Sequence, residues 1–121
     1  MRQQVRTILI AAALSLSASH ATSESVYSPN YFMQLSALGL EREAFLYALT
    51  WSAKNNVDAE TAVANALIEG IGVESNPKAA IAVVCRSRAM SDFDRRKFLI
   101  QANMRLVGKT ELPLRCASDR G

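Results

Sequence analysis

The chain contains a single histidine, and this scarcity limits the chemistry that it can perform. That residue, His20, lies within the first 21 of the 121 residues, a segment with the features of a removable export signal. Without it the chain lacks a Ser-His-Asp or Cys-His nucleophilic site, a histidine general base and a histidine-ligated zinc site. No other catalytic, metal-ligating or cofactor-binding motif is present, so we predict neither a metal nor a cofactor.

The first 21 residues have the three parts of a secretory signal peptide. Two arginines give a positive start, the segment 7–16 is mostly apolar, and small residues stand at Ser19 and Ala21. A transmembrane helix needs about 20 apolar residues, so we predict cleavage after Ala21 rather than an uncleaved anchor or a first helix. The expected product is a single domain over residues 22–121, periplasmic or secreted, without an integral membrane span.

Cleavage removes positive charge as well. The leader holds two of the 14 basic residues and none of the 11 acidic ones, so that 12 and 11 remain and the formal net charge falls from +3 to +1. A chain this close to neutral lacks the electrostatic footprint of a nucleic-acid-binding protein. We therefore expect no nucleic-acid partner.

Two cysteines, Cys85 and Cys116, remain in the domain. In an oxidising compartment such a pair favours one disulfide bond, and the two do not form a Cys-x-x-Cys redox motif. Closing a loop of about 30 residues contributes roughly 3–4 kcal/mol in the chain-entropy model. Two free thiols, or a bridge between molecules, are the alternatives.

Periodicity and capping residues predict an all-α fold of about five short helices in antiparallel pairs. A frayed segment through Tyr27 leads to a helix start at Ser28-Pro29. Asp58 is the expected cap of the third helix, and the C-terminal tail is expected to lie extended over the helices. The helices after the first are predicted over about 41–54, 59–69, 77–89, the last of these starting at Asn76-Pro77, and from residue 91 to Gly108. Helical spacing also predicts the apolar inner faces of these helices. They are Ala44, Phe45, Ala48, Leu49, Trp51 and Ala53 in the second helix, Ala59, Ala62, Val63, Ala66 and Leu67 in the third, and Phe98, Leu99, Ala102 and Leu106 in the fifth.

The link between the third and fourth helices contains Gly70 and Gly72, followed by Val73. Glycine allows the positive φ of a tight turn between helices, and Val73 can fold back into the core. With Ala80 in the following helix, residues 59–87 resemble a Sel1-like repeat, a relative of the tetratricopeptide repeat. The flanking segments carry only parts of that signature. The resemblance implies an antiparallel helix pair with an adaptor or scaffold role.

Charge and aromatic residues suggest two candidate binding surfaces. Residues 24–74 carry seven acids and two bases, whereas residues 75–121 carry ten bases and four acids. Five bases fall near the junction of the last two helices, namely Arg86, Arg88, Arg95, Arg96 and Lys97. They could form a basic face for an acidic partner, a phospholipid surface or a polyanion. The alternative is an acidic half packed beside a basic half, each solvated.

Aromatic residues concentrate in the first two predicted helices. Most of them are expected in the core, but Tyr31, Tyr47 or Trp51 could anchor a partner, because Trp and Tyr are enriched at the energetic centres of interfaces. Tyr47 and Trp51 are therefore candidate contact residues.

Together these features favour a non-enzymatic module that binds another protein, as an adaptor or accessory subunit of an envelope or secretion complex. One alternative is an immunity or inhibitor-type protein that blocks an enzyme in the same compartment. Another is a small hydrolase, which needs two carboxyls held across a substrate cleft. Such a pair could come from Glu41, Glu43, Asp58, Glu60 and Glu69, but Glu41, Asp58 and Glu60 also suit the N-terminal turns of helices.

Overall fold

The computed structural model describes residues 26–108 and 113–117. The predicted signal peptide, its cleavage point and residues 22–25 lie outside the described residues. The described part is all-helical, without a strand, which confirms the predicted fold class. Its five helices are α1 (Pro29–Ala37), α2 (Glu41–Ser52), α3 (Val57–Glu69), α4 (Pro77–Arg86) and α5 (Asp92–Arg105).

Four of the helices begin with a polar cap whose side-chain oxygen accepts a backbone N–H bond, satisfying one of the helix's unpaired donors. The caps are Ser28, Asn56, Asn76 and Ser91. The prediction of Asp58 as the cap of α3 is wrong. Asn55, in the turn between α2 and α3, takes a positive φ of 65°, and Asn56 caps the next helix. α3 therefore begins two residues earlier than expected.

Three helices are shorter than predicted. α5 ends at Arg105 rather than near Gly108, and the early ends of α2 and α4 each have a local cause. Backbone N–H groups of the turn at residues 53–56 bond to Leu49, Trp51 and Ser52, which closes α2 at Ser52. Ser87 adopts an extended conformation with ψ of 129°, which ends α4 at Arg86.

α3 lies at the centre of the fold and contacts α2, α4 and α5, while α1 packs on α2. Alanines at its buried positions let the neighbouring helices approach closely, and Val63 and Ile68 are completely enclosed. Burying such a side chain contributes about 1.5–3 kcal/mol. The buried hydrophobic residues of α3 are Ala59, Val63, Ala64, Ala66, Leu67 and Ile68.

The core around α2 differs from the sequence-based expectation at its edges. Ala44, Phe45 and Ala48 are buried, but Leu49 is 43% exposed, so the apolar arc of α2 is narrower than predicted. Tyr27, expected in a frayed segment, is buried instead. The described chain is therefore ordered against the core before α1 begins.

The α3–α4 turn contains two residues in the left-handed region. Gly70 and Gly72 both have a φ of +73°. A Cβ on Gly72 would overlap the backbone carbonyl of Glu41, at the start of α2. Val73 is half-buried and packs against the core. The turn thus seats the α3–α4 pair directly against α2.

The C-terminal segment lies along α5 and is fixed in two ways. Cys85 and Cys116 form a disulfide bond with their Cα atoms 5.3 Å apart, as predicted. Asn103 donates to the Leu114 carbonyl at 3.0 Å, and its side-chain oxygen accepts from the Leu114 N–H at 2.8 Å. Among the described helices, none combines the length and apolar character that crossing a membrane requires.

Candidate partner-binding surfaces

Both aromatic residues predicted to contact a partner, Tyr47 and Trp51, lie on one groove along α1 and α2. We call it the aromatic groove, and its volume is about 510 Å³. Its lining residues are Val26, Ser28, Tyr31, Tyr47, Thr50, Trp51 and Lys54.

Tyr47 is the fixed centre of the aromatic groove. Its ring stacks on Tyr27 with centroids 5.3 Å apart and meets the edge of Tyr31 at 4.8 Å. Its hydroxyl accepts the backbone N–H of Ser28 at 2.8 Å. Burial, with further contributions from Tyr47 and Asp58, raises the pKa of Tyr27. Three tyrosines and the cap of α1 therefore form one pre-ordered unit.

Trp51 lies one turn further along α2 and is half-buried. The Lys54 ammonium lies 4.5 Å from the centre of its ring, in the range of a cation–π contact. Tyr31 is 47% exposed. The groove thus offers an apolar floor, two accessible aromatic rings and one positive charge at its rim.

The five basic residues near the α4–α5 junction do not form one face. Arg86 and Arg88 line a cleft between the ends of α2, α3 and α4, whereas Arg96 lines a groove on α5. The Lys97 ammonium lies 3.9 Å from the carboxylate of Asp94.

Arg95 points toward the protein instead of solvent. Its guanidinium donates to the backbone carbonyls of Val84 at 2.7 Å, Ser87 at 3.1 Å and Met90 at 3.1 Å. These carbonyls lie at or after the last turn of α4, where a helix leaves its carbonyls unpaired. Arg95 therefore joins α5 to the end of α4, and its charge is committed to that contact.

The cleft beside Arg86 and Arg88 contains a buried polar pair that the sequence analysis missed. The hydroxyl of Ser87 donates to Glu60 at 2.9 Å and accepts the Met90 N–H at 3.1 Å. The cleft measures about 490 Å³, and Glu60 is the single carboxylate among its lining residues. In the described part of the chain, no group of three or more His, Cys, Asp or Glu residues could hold a metal ion.

A second groove, on α5, was also missed. One wall consists of Leu99, Asn103 and Met104 of α5 together with Val107 just after this helix, and Pro113 and Leu114 form the opposite wall. We call this feature the tail groove, and its volume is about 380 Å³. The sequence did contain a signal for the tail groove. Besides the predicted inner residues Phe98, Leu99, Ala102 and Leu106, the same segment carries the large apolar residues Ile100, Met104 and Val107.

Comparison with protein-family models, with curated proteins and with solved structures gave no match to this chain.

Proposed function

We propose that the protein is an exported, non-enzymatic protein-binding module that serves as an adaptor or accessory subunit of an envelope or secretion complex. The aromatic groove carries this proposal. Tyr and Trp are enriched among the residues that dominate interface energetics, and here two of them line one groove beside an exposed tyrosine. The resemblance of residues 59–87 to a Sel1-like repeat supports the same class of role.

Export is supported by two features of the chain. The N-terminal sequence has the pattern of a signal peptide, and disulfide bonds such as Cys85–Cys116 persist in oxidising compartments. An extracytoplasmic partner therefore fits the chemistry of this protein better than a cytosolic one.

The proposed contact is an apolar side chain of the partner seated between Tyr31 and Trp51. Tyr and Trp provide large rigid surfaces that lose little conformational entropy on binding. The stacking and hydrogen bonding of Tyr47 hold the floor of the groove in place before a partner arrives. Lys54 at the rim favours an acidic or carbonyl group next to the inserted side chain.

The test is capture from envelope and secreted extracts of the source. The protein is expressed from its full coding sequence and immobilised in the form in which it accumulates. The groove variants are Trp51→Ala and Tyr31→Ala, and the control is Leu46→Ala. Leu46 lies on α2, its side chain is 49% exposed, and it does not line the aromatic groove. We expect one partner retained by the wild type and by Leu46→Ala, and about tenfold weaker binding in the groove variants.

The identity of the captured protein separates the two binding roles. Components of a multi-subunit assembly support the adaptor role, whereas a tight one-to-one complex with a single enzyme supports the inhibitor role. Absence of enrichment by a folded protein contradicts the proposal. Enrichment that survives both groove substitutions contradicts the choice of the aromatic groove.

A further inference from the structure

The cleft between the ends of α2, α3 and α4 contains a buried carboxylate. Glu60 lies in the first turn of α3 and is 4% exposed, and the Ser87 hydroxyl donates to its Oε1 at 2.9 Å. None of the ion pairs between described residues includes Glu60. Burying a carboxylate is costly unless a cation or several hydrogen bonds replace its lost hydration. One neutral hydroxyl replaces only part of it, so Glu60 favours a cation that enters the cleft.

The second oxygen of Glu60 remains in contact with the cleft. Glu60 is one of the lining residues, and no side-chain oxygen of the described residues is both fully enclosed and without a hydrogen-bond partner. Because Oε1 accepts the Ser87 hydroxyl, Oε2 is the atom that faces the cleft. Ser87 is itself buried and accepts the Met90 N–H at 3.1 Å, so the carboxyl group is held in one orientation.

Two guanidinium groups line the same cleft. Arg86 is the last residue of α4, and Ser87 has extended backbone. Alternate side chains of extended backbone point to opposite sides, so Ser87 points into the protein while Arg86 and Arg88 both line the cleft. Both arginines are exposed, and neither forms an ion pair with another described residue. The cleft therefore has a negative group at its floor and two positive groups at its mouth.

Part of the wall between these charges is apolar. Leu49, Ala53 and Val83 line the cleft, and such a wall suits the methylene stem of a long side chain whose charged end reaches a polar group. The non-hydrogen atoms of a lysine molecule, about ten, each occupy less than the roughly 30 Å³ of a water molecule in the liquid. A cleft of about 490 Å³ has room for them.

The order of these groups selects the ligand. Arginine binds carboxylates through parallel hydrogen bonds, so Arg86 and Arg88 favour an anionic carboxylate at the mouth of the cleft. The one available oxygen of Glu60 suits the compact charge of an ammonium, because a guanidinium binds best to two carboxylate oxygens at once. A flexible apolar stem must join the two ends. Lysine with a free α-carboxylate has this arrangement.

We propose that the cleft binds a lysine with a free α-carboxylate, either as the free amino acid or as the last residue of a peptide chain. Its ammonium contacts Oε2 of Glu60, its stem lies on the apolar wall, and its carboxylate lies between Arg86 and Arg88. The cleft shares no lining residue with the aromatic groove. This site is therefore separate from the protein-binding surface proposed above, and either proposal can fail without the other.

Calorimetric titration of the protein, in the form in which it accumulates, tests the ligand. The probes are free L-lysine and a short glycine peptide that ends in lysine. Two altered peptides are the controls: one ends in norleucine, which keeps the stem and lacks the ammonium, and the other ends in lysine amide, which lacks the carboxylate. We expect saturable binding of the lysine peptide and at least about tenfold weaker binding of each control peptide.

Substitutions test which residues hold each end. Glu60→Gln removes the charge and keeps an oxygen that accepts the Ser87 hydroxyl. It should bind the lysine and norleucine peptides equally, which a purely structural role of Glu60 would not produce. Arg86→Gln combined with Arg88→Gln should bind the acid and amide forms equally. Arg96→Gln, outside the cleft, should keep the preferences of the wild type.

Circular dichroism and urea unfolding confirm that each variant is folded. If Glu60→Gln does not fold, the norleucine peptide and the two exposed arginines still test the site. Equal affinity for free lysine and the lysine peptide assigns the site to the amino acid, and tighter binding of the peptide assigns it to a chain terminus. The proposal is overturned if neither probe binds saturably up to about 10 mM, or if the wild type does not distinguish lysine from norleucine. A folded Glu60→Gln protein that still prefers lysine also overturns it.

Discussion

α3 and α5 are almost equal in length, yet they are held in the fold by different means. Seven of the 13 residues of α3 are buried, against two of the 14 residues of α5. α3 is surrounded by α2, α4 and α5, and small side chains fill most of its contacts. Packing is therefore the main constraint on the inner helix, and the hydrogen bond from Ser87 to Glu60 adds one polar contact to it.

The outer elements depend on a few specific anchors. Arg95 ties α5 to α4, and Asn103 with the Cys85–Cys116 bridge ties the tail to both. At the opposite end, Tyr27 and Tyr47 hold the entry to α1. A helix that is held by a few specific contacts keeps faces that no neighbour covers, whereas a helix with neighbours on several sides does not. This difference explains why the exposed apolar and aromatic surface lies on α1, α2 and α5.

The largest expected effect is on stability, at Gly72 in the turn between α3 and α4. Gly72→Ala should destabilise the protein by about 3–4 kcal/mol, because alanine at a positive φ costs about 1–2 kcal/mol and its Cβ would overlap the Glu41 carbonyl. Urea unfolding followed by circular dichroism measures the change.

Gly39→Ala is the matched control in an outer turn. Gly39 has a φ of +79°, but nothing lies within 4 Å of a Cβ placed there. We expect a loss of about 1–2 kcal/mol from backbone strain alone. Equal losses of stability for Gly72→Ala and Gly39→Ala would show that the α3–α4 turn can move away from α2 at no extra cost. The inner and outer turns would then not differ in how tightly they are packed.

An intermediate effect is expected at the anchor of α5. Arg95→Gln should lower the free energy of unfolding by about 2 kcal/mol, because hydrogen bonds from a charged group are worth about 1.5–3 kcal/mol and the carbonyls at the end of α4 lose their donor. Arg96→Gln, at the exposed neighbouring position, should change it by less than about 0.5 kcal/mol. Chemical denaturation of both variants measures the difference.

A similar small loss for both arginines would mean that packing, and not Arg95, holds α5. Hydrogen exchange of the α5 amides distinguishes the two cases further. If Arg95 is the anchor, exchange should accelerate selectively in α5 while α3 remains protected.

Sequence patterns predicted the inner part of this fold well. The recurrence of Ala59, Ala62, Val63, Ala66 and Leu67 predicted the buried face of α3. The structure confirms the burial of all of them except Ala62, which is half-buried at the edge of the core. Asn76-Pro77 also marked the start of α4 correctly. Both signals are local, since they depend on helical period and backbone capping and need no knowledge of which helices become neighbours.

The outer part depends on contacts between segments distant in sequence, and periodicity does not encode them. The sequence analysis grouped Arg95 with four surface bases. The hydrogen bond from Arg95 to the Val84 carbonyl depends on how α4 and α5 pack together, which helical spacing does not predict. The pairing of Ser87 with Glu60 spans 27 residues and was missed for the same reason. The second apolar face of α5 was readable, but which of its two faces turns inward is decided by the packing of α3 and α4.

The smallest expected effect is a pH dependence at the entry to α1. Burial raises the pKa of Tyr27 above its ordinary value of 10.0, with further contributions from Tyr47 and Asp58. As pH rises past 10.0, the unfolded chain loses this proton while the folded protein keeps it, so the folded state loses relative stability. Tyr27→Phe keeps the ring that stacks on Tyr47 and removes the proton. It should match the wild type at neutral pH and exceed it in stability above pH 10.0, as measured by urea unfolding across the alkaline range. Parallel pH profiles for the two proteins would show that Tyr27 is solvated like an unfolded tyrosine, and the aromatic anchor of α1 would then be weaker than the guanidinium anchor of α5.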